Sequence, residues 1–443
     1  MNKLRTLIIA ITAVVAATAM ANEVRFEGCR VITVKPEAST GLENIYVVDT
    51  AAGATISYVS DSGNVEWLRF RESGGGFADE VSGIVESGNT SSLGNFEADC
   101  GYIITDGGRQ HCYWIVDYSK HEFSLNGISF ADEQDCGTAT LLIDGSGAAI
   151  QYYTINGVPK QLSRQIAVTY DSQEWNEADL EYKTVEQSKT LDAIGARLVV
   201  AAPLTNTTFT ISGDRFSTEW GRGVSVTSDT YTALAVDANT TATQTERDSD
   251  NEQRTDSESL GGSAPAEITF KAYCSDAVEY REWQFSADPE FNDVSVSMKE
   301  DEITYTFTEQ GTTYVRFLAA NADGSCTTES EPYQVTIGES ALECPNAFSP
   351  DASEGINDVW KVSYKSLTSF KCWIFDRYGV EMCHFEDPSQ GWDGKYKGKY
   401  VKSGVYFYVI EATGSDGKKY KKKGDINILK SKNNSTTSNE GTE

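Results

Sequence analysis

The chain has 443 residues, with 66 Asp and Glu against 37 Lys and Arg and a formal net charge of −29. So acidic a surface repels phosphate backbones and excludes nucleic acid as a partner, while the length suffices for about three or four domains of ~100–150 residues, each with its own core. The charge is divided unevenly: residues 22–342 carry 52 acidic and 20 basic side chains, a balance of −32, whereas residues 343–432 carry 12 and 15, a balance of +3.

The chain begins MNKLRTLIIAITAVVAATAMA, with Lys3 and Arg5 ahead of an apolar run from Leu7 to Ala17 and an Ala-x-Ala ending at Ala19 and Ala21. That order predicts a secretory signal peptide over residues 1–21. A membrane anchor needs about 20 apolar residues, and this run is shorter. No later stretch is apolar enough to span a bilayer, so no transmembrane segment is expected in the mature chain. Cys29 lies too far past the small residues to be the lipid-bearing first residue of a lipoprotein. An exported chain meets oxidising conditions in which its cysteines pair, and nine is an odd number, so at least one is free or bonds elsewhere.

Beyond the leader, period-2 alternation dominates. In ITFKAYC, Ile268, Phe270, Ala272 and Cys274 fall on one face and Thr269, Lys271 and Tyr273 on the other, as in a half-buried strand. Similar runs at 112–118, 197–202, 207–212, 302–307, 313–320 and 404–412 are separated by Gly, Asn, Asp and Ser clusters. The predicted fold class is all-β: tandem antiparallel β-sandwich domains, ending in a small β-sandwich.

Residues 22–126 form the first sandwich. Within it, Cys100 and Cys112 flank GYIITDGGRQH, whose Asp-Gly-Gly is a turn signal, and are a candidate disulfide. Residues 127–242 form the second; only 174–195 carry a helical turn or two. Residues 243–264 are a polar linker with almost nothing apolar before Leu260, unable to fold alone. Residues 265–339 form the third. There the order of Cys274, Trp283 one strand later and an approach from Gly311 to Tyr314 resembles an immunoglobulin-like or PKD-like sandwich. Arg316 stands where an antibody-type domain has its second cysteine, so the resemblance leaves Cys326 as the partner if Cys274 is bridged. A faint repeat aligns EWLRFRESGGGFADEVS (66–82) with EWQFSADPEFNDVS (282–295), matching Trp67 to Trp283 and Phe70 to Phe285.

Converging catalytic groups are not legible. His111, His121 and His384 lie in no HExxH or Gly-x-Ser-x-Gly context, and carboxylate pairs are too common in so acidic a chain to mark a glycosidase. No Cys-x-x-Cys pair supports zinc. No catalytic residue and no cofactor are therefore expected. Calcium is a weak possibility, through Asp248, Asp250 and Glu252 or through Asp351, Glu354, Asn357 and Asp358, whose oxygens suit it. The 8 Trp and 22 Tyr could furnish a surface for a protein or glycan.

The C-terminal module, 340–430, is the most informative. KCWIFDRYGVEMC reads as a hairpin with Arg377 and Tyr378 at its tip, which sets Cys372 opposite Cys383 and predicts a disulfide. Lysines at 395, 397, 399, 402, 418, 419 and 421–423 gather in and around turns and predict a basic rim. The motifs here resemble those of the gliding-motility-associated C-terminal domain, a type B sorting domain of type IX secretion. They are Pro345, Asn346, Phe348 and Pro350 of PNAFSP; Gly355, Asn357 and Asp358, followed by Trp360; Phe375, Arg377 and Gly379 of IFDRYG; Gly391, Trp392, Asp393 and Gly394 of GWDG; Gly404 and Tyr406 of SGVYFY; and Gly424 of GDI. The resemblance implies export across the outer membrane by the type IX machinery. The opening loop departs from the family's Asn-Gly-Asp-Gly, and residues 431–443 extend past its usual end as a polar, disordered tail.

The sequence thus predicts a non-enzymatic, adhesin-like protein, exported to the cell surface or medium, whose sandwiches bind an unknown surface protein or glycan or build surface structure. The alternative is a secreted hydrolase with its site in residues 22–242.

Overall fold

The computed structural model describes residues 23–253, 259–350 and 355–429. The signal peptide, the C-terminal tail, Asp351 and Glu354 lie outside them. The described residues form four successive β modules. In the first, a four-stranded sheet (Glu23–Glu27, Thr55–Val59, Thr90–Gly94, Val85–Ser87) faces a six-stranded one running Val31–Val34, Asn44–Val48, Arg109–Asp117, Cys100–Asp106, Val65–Phe70, Asp79–Glu80. Tyr58, Trp67, Tyr102 and Ile104 fill the space between. The Asp-Gly-Gly turn forms as the sequence predicts. Asp106 pairs with Arg109 across Gly107 and Gly108, at φ 58° and 89°, which suits the right-handed twist of the strands.

The same register overturns the Cys100–Cys112 pairing. Cys100 lies opposite Ile115 and Cys112 opposite Ile103. Side chains alternate along a strand, so Cys100 enters the inner core while Cys112 points to the other face of the sheet. Both thiols are free.

That other face is not solvent-exposed. Ile45, Val47, Phe70, Cys112, Trp114 and Val116 are covered by Ile150, Tyr152 and Leu162 of the Ile150–Tyr153/Pro159–Leu162 hairpin and by Phe216 and Trp220 at the short Arg215–Glu219 helix, all from the second module. A polar lock crosses the same junction. Asp214, fully buried, accepts from Arg164 Nη1 at 2.5 Å, Tyr118 Oη at 2.9 Å and the Ser217 amide at 2.9 Å, while Arg164 also donates to the carbonyls of Ala148 and His121.

The second module packs Ser124–Phe130, Thr138–Ser146 and Arg197–Ala201 against Glu181–Leu191, Ile166–Asn176, Thr210–Gly213 and Val224–Thr227 around Leu141, Ile166, Val168, Phe209 and Ile211. The helical expectation for 174–195 fails. Residues Glu181–Leu191 form a strand paired along eleven positions with Ile166–Asn176. Their Glu, Lys and Gln favour a helix in isolation, but long-range pairing overrides that weak preference.

The third module sets Ala238–Gln244, Ala266–Cys274 and Glu302–Phe307 against a sheet of Leu260–Gly262, Tyr333–Ile337, Gly311–Ala320, Tyr280–Ser286 and Val296–Met298. Trp283, Phe270, Phe285 and Phe317 dominate its core. The expected linker, 243–264, is thus not free: both its ends are strands, held by backbone bonds that ask for no apolar residue. Cys274 is not bridged to Cys326. Cys326 instead bonds Cys136 of the second module, 190 positions away. Arg316 explains why the antibody-type pairing is absent. Val315 and Phe317 point into the core, so Arg316 faces outward, over the Phe291 ring at 4.2 Å and onto Gln284 Oε1 at 3.0 Å.

Candidate functional site: the C-terminal module

A five-stranded sheet, in the order Ala347–Phe348, Lys419–Ile428, Gly404–Gly414, Leu367–Phe375, Glu381–Phe385, is flanked by the pairs Ala341–Glu343/Ser363–Lys365 and Lys395–Tyr396/Lys399–Tyr400. Its inner face buries Ile374, Ile410, Ile426 and Cys372 against Trp360 and Trp392.

Most of the motif residues build this core or its turns. The Trp360 amide donates to the Trp392 carbonyl at 2.9 Å and the Trp392 amide returns a bond at 3.0 Å. Trp360 Nε1 reaches the Pro345 carbonyl at 2.7 Å, and Trp392 Nε1 the Lys395 carbonyl at 3.0 Å. Both indoles are therefore buried with their N–H groups satisfied, as large aromatic side chains require. Trp392 also contacts Phe348 and Tyr406, with ring centroids 5.6 and 5.1 Å away. The Asn346 carbonyl accepts from the Asn427 amide at 2.9 Å, and Pro350 lies against Gly394, where a Cβ would come within 2.8 Å of its ring. Gly391 faces the Trp360 carbonyl, which a Cβ would approach to 2.5 Å. Gly404 and Gly424 sit in the ladder opposite Ile428 and Tyr408. Gly355 donates to Asp358 at 2.7 Å, and the Asn357 carbonyl accepts from Ser349 at 2.9 Å, closing the opening loop. Burial works against the Asp393 carboxylate, yet the Lys395 ammonium and amide hold it below the usual carboxylate range.

The hairpin carries another correction. Its tip spans Asp376 to Val380, the Asp376 carboxylate accepting from the amides of Tyr378 and Val380, with Arg377 exposed and Gly379 at φ 82°. A bulge between Ile374 and Phe375 then shifts the register, placing Cys372 opposite Phe385 and Cys383 opposite Ile374. The two thiols are not facing and not bonded. Phe375 lies on the outer side, opposite Phe407.

The acidic candidates upstream are engaged by cations: Asp250 by Lys361 at 2.6 Å, Glu252 by Arg247 at 2.5 Å. Asp248 lines a cleft of about 510 Å³ between residues 247–249 and the C-terminal module, with Arg247, Tyr364, Phe370 and Glu386. His111 bonds Glu43 at 3.0 Å through Nδ1, His121 bonds Asp99 at 3.0 Å, and His384 stacks on Trp373. Residues 249–253 join the module itself, where sequence reasoning placed only linker. The Gln253 amide donates to Tyr364 and the Tyr364 amide to Asn251, as in an added strand, while Asn251 Nδ2 binds the carbonyls of Val362 and Pro388 at 2.7 and 2.8 Å.

Residues 342–428 match the CHU_C type IX secretion signal domain family. These residues form a type IX secretion signal domain. This sorting domain directs export across the outer membrane, to the cell surface or the extracellular space, and implies engagement of the type IX machinery. Residues 129–228 match the fibronectin type III domain family. No curated protein matches the chain. Solved structures also align, at low identity. The tetra-tandem repeat from the extending region of a large adhesion protein is 13% identical, over 86% of this chain and 96% of that one, with a TM-score of 0.23. The FN1–FN3 domains of chicken CNTN1 are 12% identical, over 69% and 99%, at 0.24. Three N-terminal domains of the bacteriophage RB49 Highly Immunogenic Outer Capsid protein are 12% identical, over 70% and 100%, at 0.22. Among the described residues, no helix is long and apolar enough to cross a membrane.

Proposed function

We propose that the chain is an exported, non-enzymatic, adhesin-like protein whose three acidic sandwich modules act outside the cell as one stiff binding or structural arm. The supporting observation is the pair of joints between modules: the first two share a hydrophobic layer around Trp114, Phe216 and Trp220, and the second and third share the Cys136–Cys326 bond. Sandwiches joined in series, with their connecting loops at the surface, suit contact with a surface protein or glycan. The test follows the full chain by antibody in cells with and without the type IX outer-membrane pore, then assays the exported protein for attachment to cells and glycans and for turnover of polysaccharide and peptide substrates. Pore-dependent export with attachment and no turnover is expected. Turnover abolished by His111→Ala would overturn the non-enzymatic reading.

A further inference from the structure

The outward face of the sorting domain's sheet differs from the rest of the molecule's surface. Among the described residues, nine of the eighteen exposed large hydrophobic side chains belong to this domain, about a fifth of the chain. Three of them, Val405, Phe407 and Val409, alternate along the central Gly404–Gly414 strand at 46, 44 and 40% exposure. Directly opposite lie Phe375 across from Phe407 and Trp373 across from Val409, both half-buried and on the same face. The apolar strip is continuous across two strands, because opposed residues of an antiparallel pair point to one side.

Charge continues from one end of that strip. Lys423 is opposite Val409, Lys421 opposite Glu411 and Lys419 opposite Thr413, all three lysines exposed, and Lys371 lies opposite Glu411 on the other side. Lys422, one position out of phase, instead turns inward to the Leu342 carbonyl. The rest of the chain meets the domain elsewhere: through residues 249–253 on the Ser363–Lys365 strand, Ser263 and Ala264 at Ser366, and Gln310 at Ser415. Among the described residues, the acidic body therefore leaves the face uncovered.

We propose that this face is where the sorting domain docks on a protein component of the export machinery, the partner presenting an apolar centre with carboxylates placed to meet Lys419 and Lys423, since Lys421 and Lys371 already pair with Glu411 and Glu386 at 3.5 and 3.0 Å. The proposal rests on the export reading above and adds to it the surface and the partner's chemistry. A protein is favoured over an anionic membrane because the face interleaves Glu411, Asp425 and Glu386 with its lysines. A sheet of headgroup phosphates would repel those carboxylates, whereas a protein surface can oppose each charge separately.

Two variants of the full chain test it: Phe407→Glu with Val409→Glu, and Lys419→Glu with Lys421→Glu and Lys423→Glu. All five side chains are exposed, so both variants should melt within a few degrees of the parent. At least ten-fold less of each should reach the outside, with the remainder in the periplasm, while Phe77→Glu in the first module is exported like the parent. Parental export of both variants, with the parent still needing the type IX pore, overturns the proposal and leaves the export reading standing. A parent that reaches the outside without the pore overturns both. Binding of the purified chain to phosphatidylglycerol vesicles, or a dimer in sedimentation, that is lost in the Phe407→Glu variant would put a membrane or a second copy on this face and also overturn it.

Discussion

Cys136 and Cys326, 190 residues apart in sequence, are bonded to each other across the boundary between the second and third modules. Each of these modules has its own core, so the bond holds two finished domains in a fixed orientation. Closing a loop of that length restricts the unfolded chain by up to ~5 kcal/mol, and measured effects are commonly ~2–4 kcal/mol. A chain with both cysteines changed to serine should fold, unfold several degrees lower in calorimetry, and show a larger radius of gyration by small-angle scattering. Unchanged scattering would mean that the Thr205–Asp276 and Gln173–Asp276 contacts fix the joint without it.

The Arg164–Asp214 pair predicts an asymmetric response. Asp214→Ala strands a guanidinium that is 2% exposed, a change that costs roughly 3–5 kcal/mol. Replacing both partners together, Arg164→Met with Asp214→Leu, should cost much less because no charge is left buried. Urea denaturation followed by tryptophan fluorescence, with Trp220 at the same joint as a reporter, would distinguish the two outcomes.

Asp106 predicts an acid limb to the stability of the first module. Burial disfavours its charge, but the hydroxyls of Ser62 and Ser60 and the amides of Asp61 and Ser62 hold its pKa at about 2. A carboxyl depressed in the folded state stabilises it fully above the unfolded value of about 4. That contribution fades as pH falls from about 4 toward 2. Asp106→Asn should melt lower at pH 6 and lose less stability than the parent across that acid window. Parallel melting curves for the two proteins over pH 2–5 would contradict this.

In the sorting domain, Gly391→Ala drives a methyl group against the Trp360 carbonyl. Because the obstacle is backbone, the Trp360–Trp392 bridge must shift. The expected result is faster proteolysis of residues 342–429 with the upstream modules intact. Trp392→Ala, which empties a site 1% exposed, should cost about 3–5 kcal/mol and give the same pattern more strongly.

What the sequence reveals here depends on whether a property is local. Alternation, turn glycines and the ordered motifs of the C-terminal module are local, and they identify the all-β architecture and the sorting domain. The likeness of Trp67 to Trp283 is also real at the level of burial, since both are core residues. Phe70 is three positions beyond its Trp and Phe285 only two, so the first points to the joint with the second module and the second into its own core. Every expected disulfide failed on register or reach. One bulge displaced Cys383 from Cys372, face parity separated Cys100 from Cys112, and the true partner of Cys326 lay in another module. The proposed docking face is not legible in the sequence, because only strand pairing shows which lysines share a side with Phe407.

The bridge that residues 249–253 make to Tyr364 ties together parts of the chain that are distant in sequence. Asn251 bonds Val362 across 111 positions, and nearly all of the third module lies between them. Bringing those ends together through a disordered segment of that length is entropically unfavourable, but a folded third module delivers them already close. The edge of the sorting domain is therefore completed more readily on a chain whose preceding module has folded. The Gln253 and Tyr364 amides should therefore exchange at least as fast as the third module opens, so an unfinished third module would leave one edge of the export address unformed.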